Sequence, residues 1–300
     1  MPISRISGFI SSTMDSLDGL RPSRMLMSPA SSMKLEHDRD TVVVTGGASG
    51  LGHEIVKLLA KKGTKHIFVL DIVEPIPSER VDNVTYYHCD VGSEESVNKI
   101  AARITKEVGH ATVLINNAGV TVGKTVGDLT MEEINRTLRV NLVSAFITTK
   151  AFLPGMLELQ RGYIVTVSSV LGHMSPAKLS VYGASKAGLI AFHESLTYEL
   201  GPPSQTTRGV KTMLVTPGQM ATPLFDGVQT PNEWLAPVLK PADVAAKIVS
   251  SMEKGSIETI SSPLYTNFLP VFRSLPWRPV EVARRFSGMD RGMDTFRGRL

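Results

Sequence analysis

The chain holds one cysteine, Cys89, in 300 residues, so no disulfide can form within it, and its composition is compatible with a reducing compartment. No internal repeat is present, and composition sets off no second domain. Histidines and carboxylates do not fall at metal-ligand spacings. His53-Glu54 and His193-Glu194 are adjacent pairs, which a helix places on different faces, so no metal is expected. Neither end offers an uninterrupted apolar run. ISGFISS, residues 6–12, is too short and polar for a membrane span or a signal peptide, and PLYTNFLPVFRSLPW, residues 263–277, is broken by Pro270 and Pro276. Charge of one sign is also scarce. Thirty-two Lys and Arg against 28 Asp and Glu leave a formal charge of +4, and nucleic acid is not an expected partner.

What is present is a rhythm. Apolar strand patterns at 41–45, 66–70, 84–88, 111–115, 162–167, 210–215 and 256–260 alternate with helical ones. A 42% hydrophobic content suits one large α/β domain, a doubly wound Rossmann-type fold around a buried, parallel seven-stranded sheet. In such a sheet a ligand sits at the carboxyl ends of the strands.

The first strand runs into a glycine turn and an amphipathic helix closed by Gly63. Gly46, Gly50 and Gly52 are spaced G-x-x-x-G-x-G, not the G-x-G-x-x-G of the common dinucleotide fingerprint. Glycines here permit a tight turn and close approach of backbone amides to a pyrophosphate. Asp71 ends the next strand 19 residues after Gly52, where an acid can bond a ribose 2′-hydroxyl. It would repel a 2′-phosphate, and neither Ser49 nor Ile72 supplies a compensating cation, so NAD is expected over NADP.

Tyr182 and Lys186 lie four residues apart, 13 and 17 residues after Ser169. On a helix they share a face, and an ammonium beside a phenol is expected to pull its pKa down from about 10 towards the range useful for acid–base work. By itself Y-x-x-x-K is more often a solvated helix face. Ser168 and Ser169 end a strand and point to opposite sides, and the 13-residue spacing selects Ser169.

TGGASGLG at 45–52, Asp71, CDV at 89–91, NNAG at 116–119, Asn141 in RVNLVSAF, Ser169, Tyr182 with Lys186, and PGQMAT at 217–222 occur together in this order. From about Thr41 to Ile260 the chain resembles the short-chain dehydrogenase/reductase family. The resemblance implies a catalytic set of Asn141, Ser169, Tyr182 and Lys186, with Asn141 holding a water beside Lys186 as part of a proton relay. It implies cofactor contacts from Gly46, Ser49, Gly50, Leu51 and Gly52, then Asp71, Asp90 and Val91. Asn117, Ala118 and Gly119, Tyr182 and Lys186, and Pro217, Gly218 and Thr222 complete that set. Asn116 would steady the central strand, and a buried amide satisfied by backbone is the plainer reading of Asn141.

Three segments are expected: a flexible extension at 1–40, the catalytic domain at 41–262, and a basic, aromatic extension at 263–300. From Val271 onward seven arginines face three acids. The extension either lies on anionic lipid or packs on its own chain or a sister subunit, covering the substrate cleft. Its closing residues resemble the tails of membrane-associated retinol and hydroxysteroid dehydrogenases. That likeness implies a lipophilic alcohol (retinoid, steroid or long-chain) and a site on the cytoplasmic side, at the endoplasmic reticulum or lipid droplets. The pocket is expected between Val120, the loop Val170–Leu179 and the segment Gln219–Leu239, including Gly172, Met174, Pro176, Leu224, Phe225, Trp234 and Leu235. The helices Thr130–Leu153 and Val181–Leu200 are expected to pack against further copies. A biosynthetic carbonyl reductase using NADPH and a silent nucleotide sensor stay open as alternatives.

Overall fold

The computed structural model describes residues 33–202, 208–228, 236–257, 259–293 and 296. Seven strands form one parallel sheet: β1 (Thr41–Thr45), β2 (His66–Asp71), β3 (Val84–His88), β4 (Val113–Asn116), β5 (Gly162–Val167), β6 (Val210–Pro217) and β7 (Thr259–Ser262). Their order is β3-β2-β1-β4-β5-β6-β7, with Val42 opposite both Ile67 and Val113. The direction of winding reverses between β1 and β4, so the loops leaving their carboxyl ends part and leave a crevice.

Helices cover both faces: α1 (Gly50–Lys61), α2 (Glu94–Val108), α3 (Met131–Leu138), α4 (Ser144–Glu158), α5 (Ser180–Glu199) and α6 (Pro241–Lys254). The central strands read as nearly continuous apolar runs because both faces are buried, while the edge strands β3 and β7 are partly exposed, and alternate residues enter different layers. Val42 and Val44 pack with Ile55, Leu59 and Ile248, while Val43 packs with Ile104, Phe152 and Met156 on the other side. At the head of α3, the Thr130 hydroxyl accepts from Glu133 N at 3.2 Å and the Glu133 carboxylate accepts from Thr130 N at 3.0 Å. This reciprocal cap fixes where the helix begins.

The stretch before β1 does not behave uniformly as an extension. Residues 1–32 lie outside the described residues, but Met33 and Leu35 are buried against α6, with Leu35 N bonded to Met252 O at 2.9 Å. Asp40 is fully buried. It accepts from Arg161 Nε and Nη2 at 2.9 and 2.8 Å and from Thr112 Oγ1 at 2.8 Å. The bidentate pair ties the chain ahead of β1 to the start of β5, which a local sequence pattern cannot reveal. Replacing Asp40 by Ala leaves the Arg161 guanidinium only the half-exposed Glu36, 3.5 Å away, as counter-charge, and a loss of about 3 kcal/mol is expected. Denaturant unfolding checks this; an unchanged midpoint contradicts it.

Candidate active site

The site grows from the turn after β1. Gly46 and Gly50 have positive φ, 64° and 57°, so the chain reverses tightly there. A Cβ on Gly52 would collide with the Gly46 carbonyl oxygen and lie 2.5 Å from Asn117 Nδ2. Asn117 Nδ2 donates to Thr45 O and Gly46 O at 3.0 and 2.9 Å, locking the end of β4 to the turn. Ser49 makes no side-chain cap at the start of α1, and the first turn carries no acid. The uncapped amides and the helix dipole therefore present a positive end to the crevice.

A cleft of about 310 Å³ opens there, lined by polar and apolar residues together. Every residue expected on the cofactor side lines it except Gly52, whose part is the close packing beneath. Asp71 stands at its rim, with Oδ2 accepting from Ala48 N at 3.0 Å and Oδ1 from Val73 N at 3.1 Å. Asp90 Oδ1 accepts from Gly92 N at 2.9 Å. Backbone amides thus fix both carboxylates in orientation. Arg136 of α3 also lines the cleft; one arginine on a helix gives no spacing signal, and the sequence reading missed it. The shape and donor set fit an extended dinucleotide: small residues under a helix N-terminus and a fixed acid one strand away. Cys89 is buried among apolar side chains and accepts from Ser96 Oγ at 3.4 Å, and burial raises its thiol pKa.

At the inner end stand Ser169, Tyr182 and Lys186, all buried. The two serines do face apart. Ser168 Oγ donates to Lys186 O at 2.8 Å, whereas the Ser169 hydroxyl bonds the phenol of Tyr182 and accepts from Leu171 N at 3.1 Å. The Tyr182 ring meets Phe225 edge-on, with centroids 5.4 Å apart. Lys186 Nζ donates to Val167 O at 3.0 Å and lies 5.7 Å from the centre of the Tyr182 ring.

The expected acidification of the phenol is not what this chain shows. Burial pushes Tyr182 above its ordinary value, opposed only in part by the Ser169 bond, and burial lowers Lys186 to about 8. Both charged forms lose hydration in the closed site, and that cost exceeds what neighbouring groups return. His193 is likewise buried and held neutral, lowered to about 4 by desolvation, with Nε2 3.4 Å from Thr197 Oγ1.

Asn141 does not line the cleft. It lies in a π turn, Arg139–Val143, between α3 and α4, not in regular helix. Its Oδ1 accepts from Val120 N at 2.7 Å, and Nδ2 donates to Val120 O and Ser185 Oγ at 2.9 and 3.0 Å. Ser185 Oγ in turn donates to Tyr182 O at 2.7 Å. The amide is thus satisfied by protein, as in the plainer reading, and it braces the loop after β4 against the tyrosine's helix. Such π turns cluster at functional sites, but no sequence period announces one.

A second cavity, about 410 Å³ and mainly apolar, meets the cleft at Ser169, Gly218 and Phe225. Met174, Pro176 and Phe225 line it as expected; Gly172 does not, Leu224 lines the first cleft instead, and Trp234 and Leu235 lie outside the described residues. Its far wall is the C-terminal segment, built from α7 (Leu269–Phe272) and α8 (Trp277–Ser287). Arg284 Nη1 donates to Ser175 O at 3.1 Å, and its Nε and Nη2 pair with Asp290 at 3.2 and 2.5 Å. Asp290 Oδ1 also accepts from Ala177 N at 2.8 Å, and Met293 packs with Leu179 and Tyr182. The segment therefore packs on its own chain, one of the two arrangements open from sequence.

Residues 40–233 match the family model described as short chain dehydrogenase. An uncharacterised oxidoreductase of Saccharomyces cerevisiae is 34% identical over 90% of this chain and 88% of its own length. Human retinol dehydrogenase 10 is 41% identical over 70% of this chain, an alignment spanning 62% of that protein. A ligand-free aldohexose dehydrogenase of Thermoplasma acidophilum superposes with a TM-score of 0.65 over 75% of this chain and 92% of its own, at 23% identity, a likeness of fold. The chain belongs to the short-chain dehydrogenase/reductase family and is an NAD(P)-using oxidoreductase related to the retinol and hydroxysteroid dehydrogenase branch.

Proposed function

We propose that the protein interconverts a lipophilic alcohol and its aldehyde or ketone, with Tyr182 as the acid–base group. The supporting observation is the junction itself: Ser169 lines both the cleft at the α1 N-terminus and an apolar cavity, and its hydroxyl bonds the Tyr182 phenol. When bound, NAD(P) supplies the hydride acceptor or donor. Gly46, Ser49, Gly50 and Leu51 would hold its phosphates, Gly52 would keep the turn close beneath them, and Asp71 the adenosine ribose. Asp90 and Val91 would hold the adenine, Asn117, Ala118 and Gly119 the middle, and Pro217, Gly218 and Thr222 the nicotinamide end. NAD is favoured over NADP because the hollow beside Asp71 is lined by Glu54, Glu74 and Glu79, with Lys240 as the single cation among its described lining residues.

Ser169 orients the substrate oxygen and shares its developing charge. Tyr182 gives or takes the proton at its phenol oxygen, and Lys186 supplies positive charge behind it while protonated. Asn141 positions the tyrosine's helix through Ser185. Because burial keeps the phenol protonated, carbonyl reduction finds its proton in place at neutral pH, whereas alcohol oxidation must first remove it. This favours carbonyl reduction as the easier direction near pH 7. The expected outcome is alcohol oxidation that climbs through the alkaline range while carbonyl reduction stays level through neutrality. Tyr182→Phe should lower both by about 10²–10⁴-fold with NAD(H) affinity within a few-fold. Retained activity in that variant refutes the role.

The substrate enters from a lipid surface in this reading, on the cytoplasmic side of the endoplasmic reticulum or of lipid droplets. The segment that walls the cavity turns Val271, Trp277, Val282 and Phe286 outward, with Trp277 and Phe286 71% and 73% exposed, beside Arg278 and Arg285. Apolar rings next to arginines suit an anionic bilayer surface. The stretch Met131–Glu158 is long and apolar enough to cross a bilayer by composition, yet Thr148 Oγ1 donates to Asn116 Oδ1 at 2.7 Å and Phe152 is buried in the core. Half-exposed Val143 and Phe146 offer a face for a second copy. Co-sedimentation with vesicles tests the lipid contact: binding to anionic vesicles should fall when Trp277 and Phe286 become Ser, and undiminished binding excludes this surface.

A further inference from the structure

Among the described residues, four polar side chains line the apolar cavity: Ser169, Gln219, Tyr265 and Ser287. Three are committed to the protein. Ser169 bonds Leu171 N and the Tyr182 phenol, Gln219 Nε2 donates to Val228 O at 3.1 Å, and Ser287 Oγ donates to Arg284 O at 3.0 Å. Among the described residues, the hydroxyl of Tyr265 has no hydrogen-bond partner. Burial raises its pKa with no neighbouring group contributing.

The placement of this phenol is fixed. It sits in a 3-10 turn, Leu264–Asn267, directly after β7, where buried Thr266 donates to Pro263 O from both N and Oγ1 at 3.0 and 2.6 Å. The hydroxyl lies 3.3 Å from where a Cβ on Gly218 would stand. Gly218 follows β6, and Ser169 follows Val167 at the end of the neighbouring strand β5. Paired strands are about 4.8 Å apart, so the hydroxyl is close to the reacting oxygen and not at the cavity's far end. The half-buried phenol faces the cavity without a protein partner, and a purely hydrocarbon ligand that displaced water there would leave it unpaired.

We infer that Tyr265 recognises a second oxygen of the substrate, so that the preferred substrates are lipophilic alcohols or carbonyls oxygenated again within a few carbons of the reacting one. This rests on the alcohol/carbonyl reading above. A phenol donates or accepts, so a neighbouring hydroxyl, ketone or ester carbonyl all match. A lipophilic alcohol whose only oxygen is the reacting one does not.

The test uses the full chain, wild type and Tyr265→Phe, with matched long-chain secondary alcohols that differ by one added hydroxyl or keto group one to three carbons away. Turnover is measured with each, together with the affinity of each for protein saturated with NADH. Wild type is expected to favour the doubly oxygenated member by about 3–10-fold, the worth of one neutral hydrogen bond. Tyr265→Phe is expected to erase that preference by raising KM for that member alone, with kcat, KM for the plain alcohol and NAD(H) affinity unchanged. No preference in wild type, an equal preference in both proteins, or weakened NAD(H) binding in the variant overturns the inference. If wild type turns over neither alcohol, the catalytic reading fails, and the affinities for the NADH-loaded protein decide the role of Tyr265 by the same comparison.

Discussion

The close approach of Gly52 to the Gly46 carbonyl and Asn117 sets the geometry of everything above it. One methyl at position 52 would push α1 away from the turn and part the turn from the end of β4. With that contact made, the α1 amides point into the crevice and Asp71 stands one strand away at its rim. Gly119, close to Lys186 Nζ and Asn141 Oδ1, continues the floor towards Tyr182. Close packing transmits position here, because an interior this dense has no slack in which a shifted helix could be absorbed.

The inner end of the site depends on a different balance. Tyr182, Lys186 and Ser169 are gathered where water is scarce, and that scarcity raises the phenol and lowers the ammonium. The same dehydration strengthens hydrogen bonds to a substrate oxygen. A phenol that holds its proton suits donation to a forming alkoxide, the step that the proposed carbonyl reduction requires.

Much of this was legible in the chain. The six strands β1 to β6 fall on the expected runs, and the four central ones, β1, β4, β5 and β6, are nearly continuously apolar and buried. The edge strand β7 (Thr259–Ser262) overlaps the expected 256–260 by only two residues, because a partly exposed, polar edge strand leaves a weak pattern. Ser169 was separable from Ser168 because strand alternation allows only one to face the tyrosine. The misreadings have physical causes. The Tyr182 expectation counted the neighbouring charge but not the dehydration of both groups, which only the folded environment sets. The π turn at Asn141 arises from tertiary bonds to Val120 and Ser185. The seam between Asp40 and Arg161 joins residues 121 positions apart. The aromatic tail showed its two chemistries in sequence, but not that Phe272, Met289 and Met293 turn inward while Trp277 and Phe286 turn out.

The central claim is that glycine-enforced contact beneath the crevice creates a dinucleotide site continuous with Tyr182. Fluorescence titration of wild type and Gly52→Ala with NADH and NADPH tests it most directly, with circular dichroism confirming that the variant folds. The account predicts saturable binding by wild type, tighter for NADH, and a loss of about tenfold or more in the variant, the cost of overpacking one methyl in a dense site. Equal affinity in the two folded proteins, or no binding by wild type, contradicts it.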